Sequence, residues 1–387
     1  MIFCGATMLQ PAKPLPFPEP AAPAKPKRSS RAFGCGFMVV MFLGLLTVGL
    51  IGAEVGMNNL LQGMILAMLP APIYISIALW LDRFESEPTR LLVYAFLWGA
   101  TGAVFISYVL NTLFGSVVAA TLSADDANQL MATISAPIVE ELAKGLALFA
   151  LFFWRRDEFD NITDGIVYAA MVALGFAMVE NFLYYGRALS EGGEAAAQTF
   201  VLRGMIAPFS HPLFTVMTGI GLGWARQSGK KSLRWIGPLL GLSAAIFLHA
   251  LWNLSASTNG EVFLGVYVVV MMPAFFGVGI VVYFSLKREG DIIRQHLAGD
   301  FHQGLLTEEE YQSLNRSMKR MRRSWRALLR GGHRSWLACR RFHQTASELA
   351  FHRWRIERDG TEPNEQSRQI EHGHMAQMQT LRQQIRQ

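Results

Sequence analysis

MATISAPIVEELAKGLALFALFFW, residues 131–154, decides the fold: twenty-four residues as apolar as a membrane span, interrupted only by Glu140, Glu141 and Lys144. A hydrocarbon core about 30 Å thick needs roughly 20 such residues in a helix. Ionisable groups at that depth are costly, so they face a bundle interior or a water-filled cavity and act there. At helical spacing Glu140 and Lys144 share a face, and Glu141 sits about 100° round, one turn from Lys144. The plainer reading of the three is an internal ion pair that fixes helix packing. It loses ground because later spans carry buried polar groups too.

The rest of the chain has the same character. Of its 387 residues 51% are hydrophobic and 17% are charged, and the mean hydropathy is +0.26. Soluble domains carry about 25% charged residues, so a soluble enzyme is excluded. The expected fold is all-α, a polytopic membrane helix bundle of about eight spans, placed at roughly 33–53, 60–81, 89–113, 131–153, 163–185, 199–224, 235–255 and 262–285. The connections test this count. Those at 82–90, 154–162 and 225–234 hold Arg83, Arg90, Arg155, Arg156, Arg226, Lys230, Lys231 and Arg234, whereas the alternate ones hold acids and the single base Arg187. This asymmetry predicts that both termini are cytoplasmic.

Three segments follow: a Pro-rich cytoplasmic leader (1–32), the eight-span membrane domain (33–286) and a basic cytoplasmic tail (287–387), partly helical and partly disordered. The net charge of +6 is concentrated at the ends, with nineteen Lys and Arg against twelve acids after residue 286. That is a topology signal, and no nucleic-acid partner is expected. In the tail, Thr307 and Glu310 form a capping-box pattern. MKRMRRSWRALLR then interleaves arginine with apolar residues, the pattern of a helix lying on an anionic leaflet or of a solvated basic tail. The final thirty residues, rich in Gln, Arg and His, are expected to be disordered. The cysteines Cys4, Cys35 and Cys339 are too scattered for a metal site or a disulfide framework.

Three further spans carry unusual polar groups. GFAMVENFLYY has Glu180 and Asn181, SHPLFTVMTGIGLG has His211, and IFLHALWNLS has His249 with Asn253 one turn on. At 1.5 Å per residue, Glu140 lies about 14 Å below the outer end of its span, Glu180 about 8 Å, His211 about 18 Å and His249 about 9 Å. Spans of opposite direction thus agree on one pocket in the outer to middle bilayer. Two chemistries suit it. His211, His249 and Glu180 could ligate a divalent metal such as zinc, with Glu140 or Glu141 as general base. Alternatively a buried carboxylate activates water with a histidine, while His249 and Asn253 stabilise an oxyanion. Both hydrolyse a peptide bond near the membrane. Lys144 and Asn181 support the pocket. HExxH is absent, and Gly219, Gly221 and Gly223 are expected to permit close helix approach rather than to bind phosphate. Arg203 is expected to snorkel to the outer surface and is assigned no chemistry. A proton-coupled transporter also uses buried Glu and His, but no internal repeat supports one.

EELAK, FAMVEN, HPLFT and HALWN resemble the motifs of PrsW-type intramembrane proteases, themselves similar to CAAX prenyl endopeptidases and bacteriocin-processing membrane proteases. LDRFESEP (81–88) resembles a stretch of the same family, and the likeness spans about residues 60–285. It implies an enzyme of a bacterial inner membrane that cleaves membrane-anchored proteins, such as an anti-sigma factor, on the extracytoplasmic side. Carried over, it implies that Glu140 and Glu141 activate water, Glu180 and His211 complete the site, and His249 with Asn253 holds metal or oxyanion. It favours Glu140 as the base. The CAAX enzymes carry Arg one position beyond Lys144 and His in place of Glu180, so prenyl-substrate processing is not implied.

Overall fold

Buried charge and small residues set the packing here, because lipid supplies no hydrophobic drive between helices. The computed structural model describes residues 30–228, 232–358 and 360–386. The Pro-rich leader expected at 1–32 therefore falls almost wholly outside the described residues. In chain order the membrane helices are α1 (Ser30–Val55), α2 (Met57–Met68), α3 (Ala71–Leu81), α4 (Thr89–Trp98), α5 (Val104–Ala119), the short α6 (Ala124–Leu130), α7 (Ala136–Trp154), α8 (Ile162–Glu191), α9 (Gly193–Phe200), α10 (Ser210–Gln227), α11 (Leu233–Ala256), α12 (Gly260–Val266) and α13 (Met272–His296). Wider π turns join four pairs into longer rods, at Gly99–Ala103, Met131–Ser135, Val201–Ile206 and Tyr267–Met271. No strand occurs among the described residues. The protein is an all-α polytopic bundle.

Among the described residues, seven rods are long and apolar enough to cross a bilayer. The remaining predicted span is helical from Met131 to Trp154, and its three ionisable residues set it apart from the seven. The centre is α8. The apolar window of its rod is 83% buried, against 6% for the rod that ends in α13. A capping box starts it: Asn161 Oδ1 accepts from Asp164 N–H at 3.1 Å, and Asp164 Oδ2 accepts from Asn161 N–H at 3.0 Å and from Asp160 N–H at 2.9 Å. Glycine brings its neighbours in. A Cβ on Gly219 of α10 would meet the Gly165 carbonyl at 2.1 Å, and one on Gly99 would meet the Val172 carbonyl at 1.9 Å. The expectation that Gly219 serves close approach therefore holds.

The tail differs from expectation. After α13 come α14 (Ala298–His302), α15 (Glu308–Leu314), α16 (Ser317–Arg358, bent at Gly332 where φ is +68°) and α17 (Glu365–Arg386). The capping box predicted at Thr307 and Glu310 is present. The final residues, expected to be disordered, form α17. Met375, Met378, Leu381 and Ile385 recur on one side of it and join a core with Phe342 and Leu349 of α16. That stripe is too sparse to hold a helix alone, and α16 supplies the surface it needs. Arg382 pairs with Glu310 at 2.8 Å, and Arg353 with Asp300 at 2.5 Å and Glu371 at 2.8 Å.

This helical tail docks on the turn between α3 and α4. Both Asp82 oxygens accept from Glu87 N–H at 3.0 Å, Glu87 Oε2 accepts from the Tyr168 hydroxyl of α8 at 2.5 Å, and Glu85 pairs with Arg355 at 2.6 Å. Burial pushes the Asp82 and Glu85 carboxyls up to about 7, Glu85 further raised by Asp160 beside it and drawn back by Arg355. A carboxyl with a raised folded pKa binds more protons folded than unfolded, so it costs stability as pH rises from its unfolded value through about 7. Thermal unfolding in detergent is therefore expected to show falling stability between pH 5 and pH 8, and Asp82→Asn is expected to flatten that slope. Gly219→Val, with no room beside Gly165, is expected to abolish monodisperse folded protein on size-exclusion chromatography, whereas Gly279→Ala, with open space around it, leaves it intact.

Candidate active site

Four helices converge on one buried cluster of charged and polar side chains. α7 brings Glu140, Glu141 and Lys144, all buried; α8 brings Glu180 and Asn181; α10 brings His211 and Thr215; α11 brings His249. Lys144, with none of its side chain exposed, donates to Glu141 Oε1 at 2.6 Å and lies 3.2 Å from His211 Nδ1 and 3.8 Å from Glu140 Oε2. Its ammonium also sits 4.2 Å from the centre of the Phe176 ring. An ammonium only donates, so His211 Nδ1 accepts and the ring hydrogen lies on Nε2, which donates to Glu180 Oε2 at 2.8 Å.

Glu141 is fully engaged. Besides Lys144 it accepts from the Thr215 hydroxyl at 2.9 Å and from His249 Nδ1 at 3.0 Å. A carboxylate only accepts, so Nδ1 of His249 carries the hydrogen and its Nε2 lone pair is free. That nitrogen lies 3.8 Å from Glu140 Oε2, and Glu140 Oε2 is buried without a hydrogen-bond partner. The two imidazole rings stand 5.2 Å apart and nearly perpendicular, and Phe214 stacks on His249 at 4.9 Å.

The turn before α10 explains how His211 is presented. Pro208 has no N–H to give the Gly204 carbonyl one helical turn back, and Ala207 departs from helical geometry at φ −121°, ψ 39°. The Tyr74 hydroxyl takes up the Gly204 carbonyl instead. His211 therefore stands in the first turn of a new helix rather than mid-rod. Proline acts likewise in α7. Within the π turn the Ala136 N–H reaches back five residues to Met131, and Pro137 has no N–H for Ala132. Asn253 Nδ2 donates to that Ala132 carbonyl at 2.8 Å.

The predicted residues thus divide. Glu140, Glu141, Lys144, His211 and His249 meet in one cluster. Glu180 joins it at the rim through His211, but the three donor groups within 4.8 Å of one another are Glu140, His211 and His249, with Glu140 where the sequence had suggested Glu180. Asn253 ties α11 to the π turn before α7, and its Nδ2 is spent on backbone rather than turned to the pocket. Asn181 accepts from Arg203 Nε at 2.6 Å. Arg203 was expected at the surface and without chemistry. It is instead half-buried, bonded to Glu180 through Nη2 and stacked over Tyr184 at 3.8 Å. An arginine two turns before the site histidine, opposite a span with an unpaired Glu, was the available signal.

Residues 87–278 match the family described as PrsW family intramembrane metalloprotease. Among curated proteins, Protease PrsW of Geobacillus kaustophilus is 32% identical over 194 residues, covering 49% of this chain and 78% of that protein. Protease PrsW of Bacillus subtilis is 31% identical over 187 residues, covering 46% of this chain and 76% of that protein. Protease PrsW of Oceanobacillus iheyensis is 28% identical over 212 residues, covering 53% and 86%.

The chain belongs to the PrsW family. It is an intramembrane protease, and the proteins it acts on are membrane proteins. No solved structure matches it. The family match ends in α13, so the helical tail that follows lies outside it. Nothing among these relatives favours transport. Because Arg203 fixes both Glu180 and Asn181 of the PrsW FAMVEN stretch through a planar fork, Arg203→Gln is expected to lower substrate cleavage about 10- to 100-fold in membranes with expression matched, and Arg203→Lys to restore little of it.

Proposed function

We propose that this protease hydrolyses a peptide bond of a single-span, membrane-anchored protein close to the outer face of the bilayer, with Glu140 as the group on which the chemistry turns. One observation carries the reading. In a cluster where Glu141, Lys144 and His211 are engaged with partners, Glu140 Oε2 is buried without a hydrogen-bond partner, and the Nε2 lone pair of His249 faces it across 3.8 Å. A buried polar atom left without a partner costs about 1–3 kcal/mol, and a carboxylate more. Such a pair is a seat for water or for an ion.

Glu140, His211 and His249 are the residues that would hold a divalent metal, and one carboxylate with two imidazoles suits zinc. Glu140 and His249 offer free lone pairs. His211 has one ring nitrogen on Lys144 and the other on Glu180, so an ion held by all three displaces one of these bonds. Zinc, when bound, supplies Lewis acidity and makes its water more acidic. The chain's own residues do the rest. Glu141 holds the Nδ1–H of His249 and so keeps the Nε2 lone pair toward Glu140, an orientation that second carboxylates commonly impose on metal-binding histidines. Lys144 holds Glu141 in place at 2.6 Å. Without an ion, Glu140 Oε2 accepts the proton of the attacking water and passes it to the His249 Nε2 that faces it, and that Nε2–H is given to the leaving amine as the C–N bond breaks.

Depth and access support the outer-face placement. The Lys and Arg bias of the connections orients both termini toward the cytoplasm, which puts Glu140 and His249 in the outer half of their spans. An apolar cleft of about 370 Å³, lined by Tyr74, Leu213, Phe214, Trp252 and Phe275, reaches Phe214, the ring stacked on His249. A membrane segment can approach along it without crossing water. An anti-sigma factor is the substrate type that the family resemblance suggests, and a bacterial cell membrane is the compartment.

Glu140→Gln is expected to lower cleavage by at least about 100-fold, read as loss of new N-termini at the outer edge of single-span membrane proteins. Purified wild type is expected to carry about one zinc per chain by mass spectrometry. Glu140→Gln and His249→Ala lose it, whereas Glu180→Gln keeps it. A metal-free protein that still cleaves, and stops cleaving as Glu140→Gln, would replace the metal with Glu140 as sole base. Termini identical in wild type and Glu140→Gln would overturn the assignment.

A further inference from the structure

The first arm of α16, residues 317–331, has three faces. Arg320 and Ala327 are buried against the tail core, and Arg323 reaches inward to Ser313 at 3.1 Å and Glu310 at 3.3 Å. Met318, Met321, Trp325 and Leu329 point outward, 57%, 40%, 56% and 81% exposed. At about 100° per residue these four fall within a sector of about 80°, and Arg322, Arg326 and Arg330 fill the next sector of about 80°. All three arginines are exposed, and of the three only Arg326 has an ion pair described, to the exposed Glu309 at 2.7 Å. A solvated basic helix has no reason to carry a continuous stripe of Met, Trp and Leu beside its arginines.

Position supplies the occupant. The arm starts at Ser317, whose hydroxyl accepts from Arg83 Nε at 2.7 Å, and Arg320 Nη1 donates to the Arg83 carbonyl at 2.8 Å. Arg83 in turn covers the Trp80 ring at 3.7 Å, in the last turn of the membrane-length rod 57–81. So the arm begins where that rod leaves the bilayer, on the side where the connecting segments are rich in Lys and Arg. Its charge matches an anionic headgroup layer, and its stripe with a single Trp matches the boundary below that layer.

We propose that residues 317–331 lie in the headgroup region of the cytoplasmic leaflet, with Met318, Met321, Trp325 and Leu329 entering the acyl boundary and Arg322, Arg326 and Arg330 on anionic phospholipid headgroups. The proposal rests on the topology inferred above and not on the protease chemistry. It makes the tail a lipid-reading element, joined through Arg83, Glu87 and Tyr168 to the helix that carries Glu180.

The test uses the full chain in nanodiscs, with native cysteines replaced and a spin label placed singly at 318, 321, 322, 325, 326 or 329. In bilayers of phosphatidylcholine with phosphatidylglycerol, labels at 318, 321, 325 and 329 are expected to favour oxygen over a water-soluble nickel complex as relaxant, with the preference falling at 322 and 326. In phosphatidylcholine alone, or with Arg322→Gln, Arg326→Gln and Arg330→Gln combined, the preference at 329 is expected to fall severalfold. Both discs present identical leaflets, so an error in sidedness does not affect the readout. High nickel access at every position would show a solvated face and overturn the proposal. Low access to both reagents would show protein cover, from residues 1–29 or a second copy, and overturn it too. Immersion that ignores lipid charge would remove the anionic headgroups from it. The arginines are exposed, so folding of the triple variant is checked by its elution alone.

Discussion

The Lys144 ammonium is the constraint on which the rest depends. Moving one unpaired ion into such surroundings costs several kcal/mol, even after relaxation, and attraction offsets this only when the geometry is close and every proton is used. Lys144 meets both conditions, with Glu141 at 2.6 Å, His211 Nδ1 at 3.2 Å and the face of Phe176 behind it. Each partner belongs to a different helix or turn, so the ion fixes the positions of α7, α8 and α10 together. Glu141 extends the reach to α11 through His249. An isolated Lys or Glu would have to snorkel out of this depth; the cluster holds because none of its members is isolated.

Proline completes what charge begins. In a bilayer a backbone carbonyl that loses its helical donor finds no water. Pro137 and Pro208 each free one, at Ala132 and Gly204, and each is taken by a side chain from another span, Asn253 and Tyr74. The breaks are therefore cross-links. They also set the geometry of the site, because one wide turn lies just before Glu140 and the other delivers His211 to a helix start. A regular helix through either position would point these side chains elsewhere.

Much of this is legible in the sequence, for a physical reason. Charges within apolar runs are rare and cannot be placed idly, so Glu140, Glu141, Lys144, His211 and His249 identify themselves. The all-α bundle follows from run length alone. What could not be read is how polar groups pair across spans. Glu140 and Glu180 each stand in an apolar run, and it is Arg203 from the next rod, with His211, that occupies Glu180 while Glu140 keeps the unpartnered oxygen. The role of Asn253 was hidden for the same reason, since the carbonyl it satisfies belongs to a turn whose width depends on Pro137. Arg203 itself was misread because proximity to a span end suggests snorkelling, whereas a buried carboxylate within reach is the stronger attraction.

The tail shows the opposite limit. Composition placed its last thirty residues among disordered segments, since Gln, Arg and His bury little. Yet α17 needs only one apolar residue in three or four, because α16 already presents Phe342 and Leu349 and the ion pairs of Arg353 and Arg382 fix the register. A segment too polar to fold alone folds on a neighbour. The same logic runs outward from the first arm of α16: its inner face is consumed by the tail core, so its outer stripe has no protein left among the described residues to cover it. A helix rooted at the end of a membrane rod finds its missing surface in the bilayer beside it.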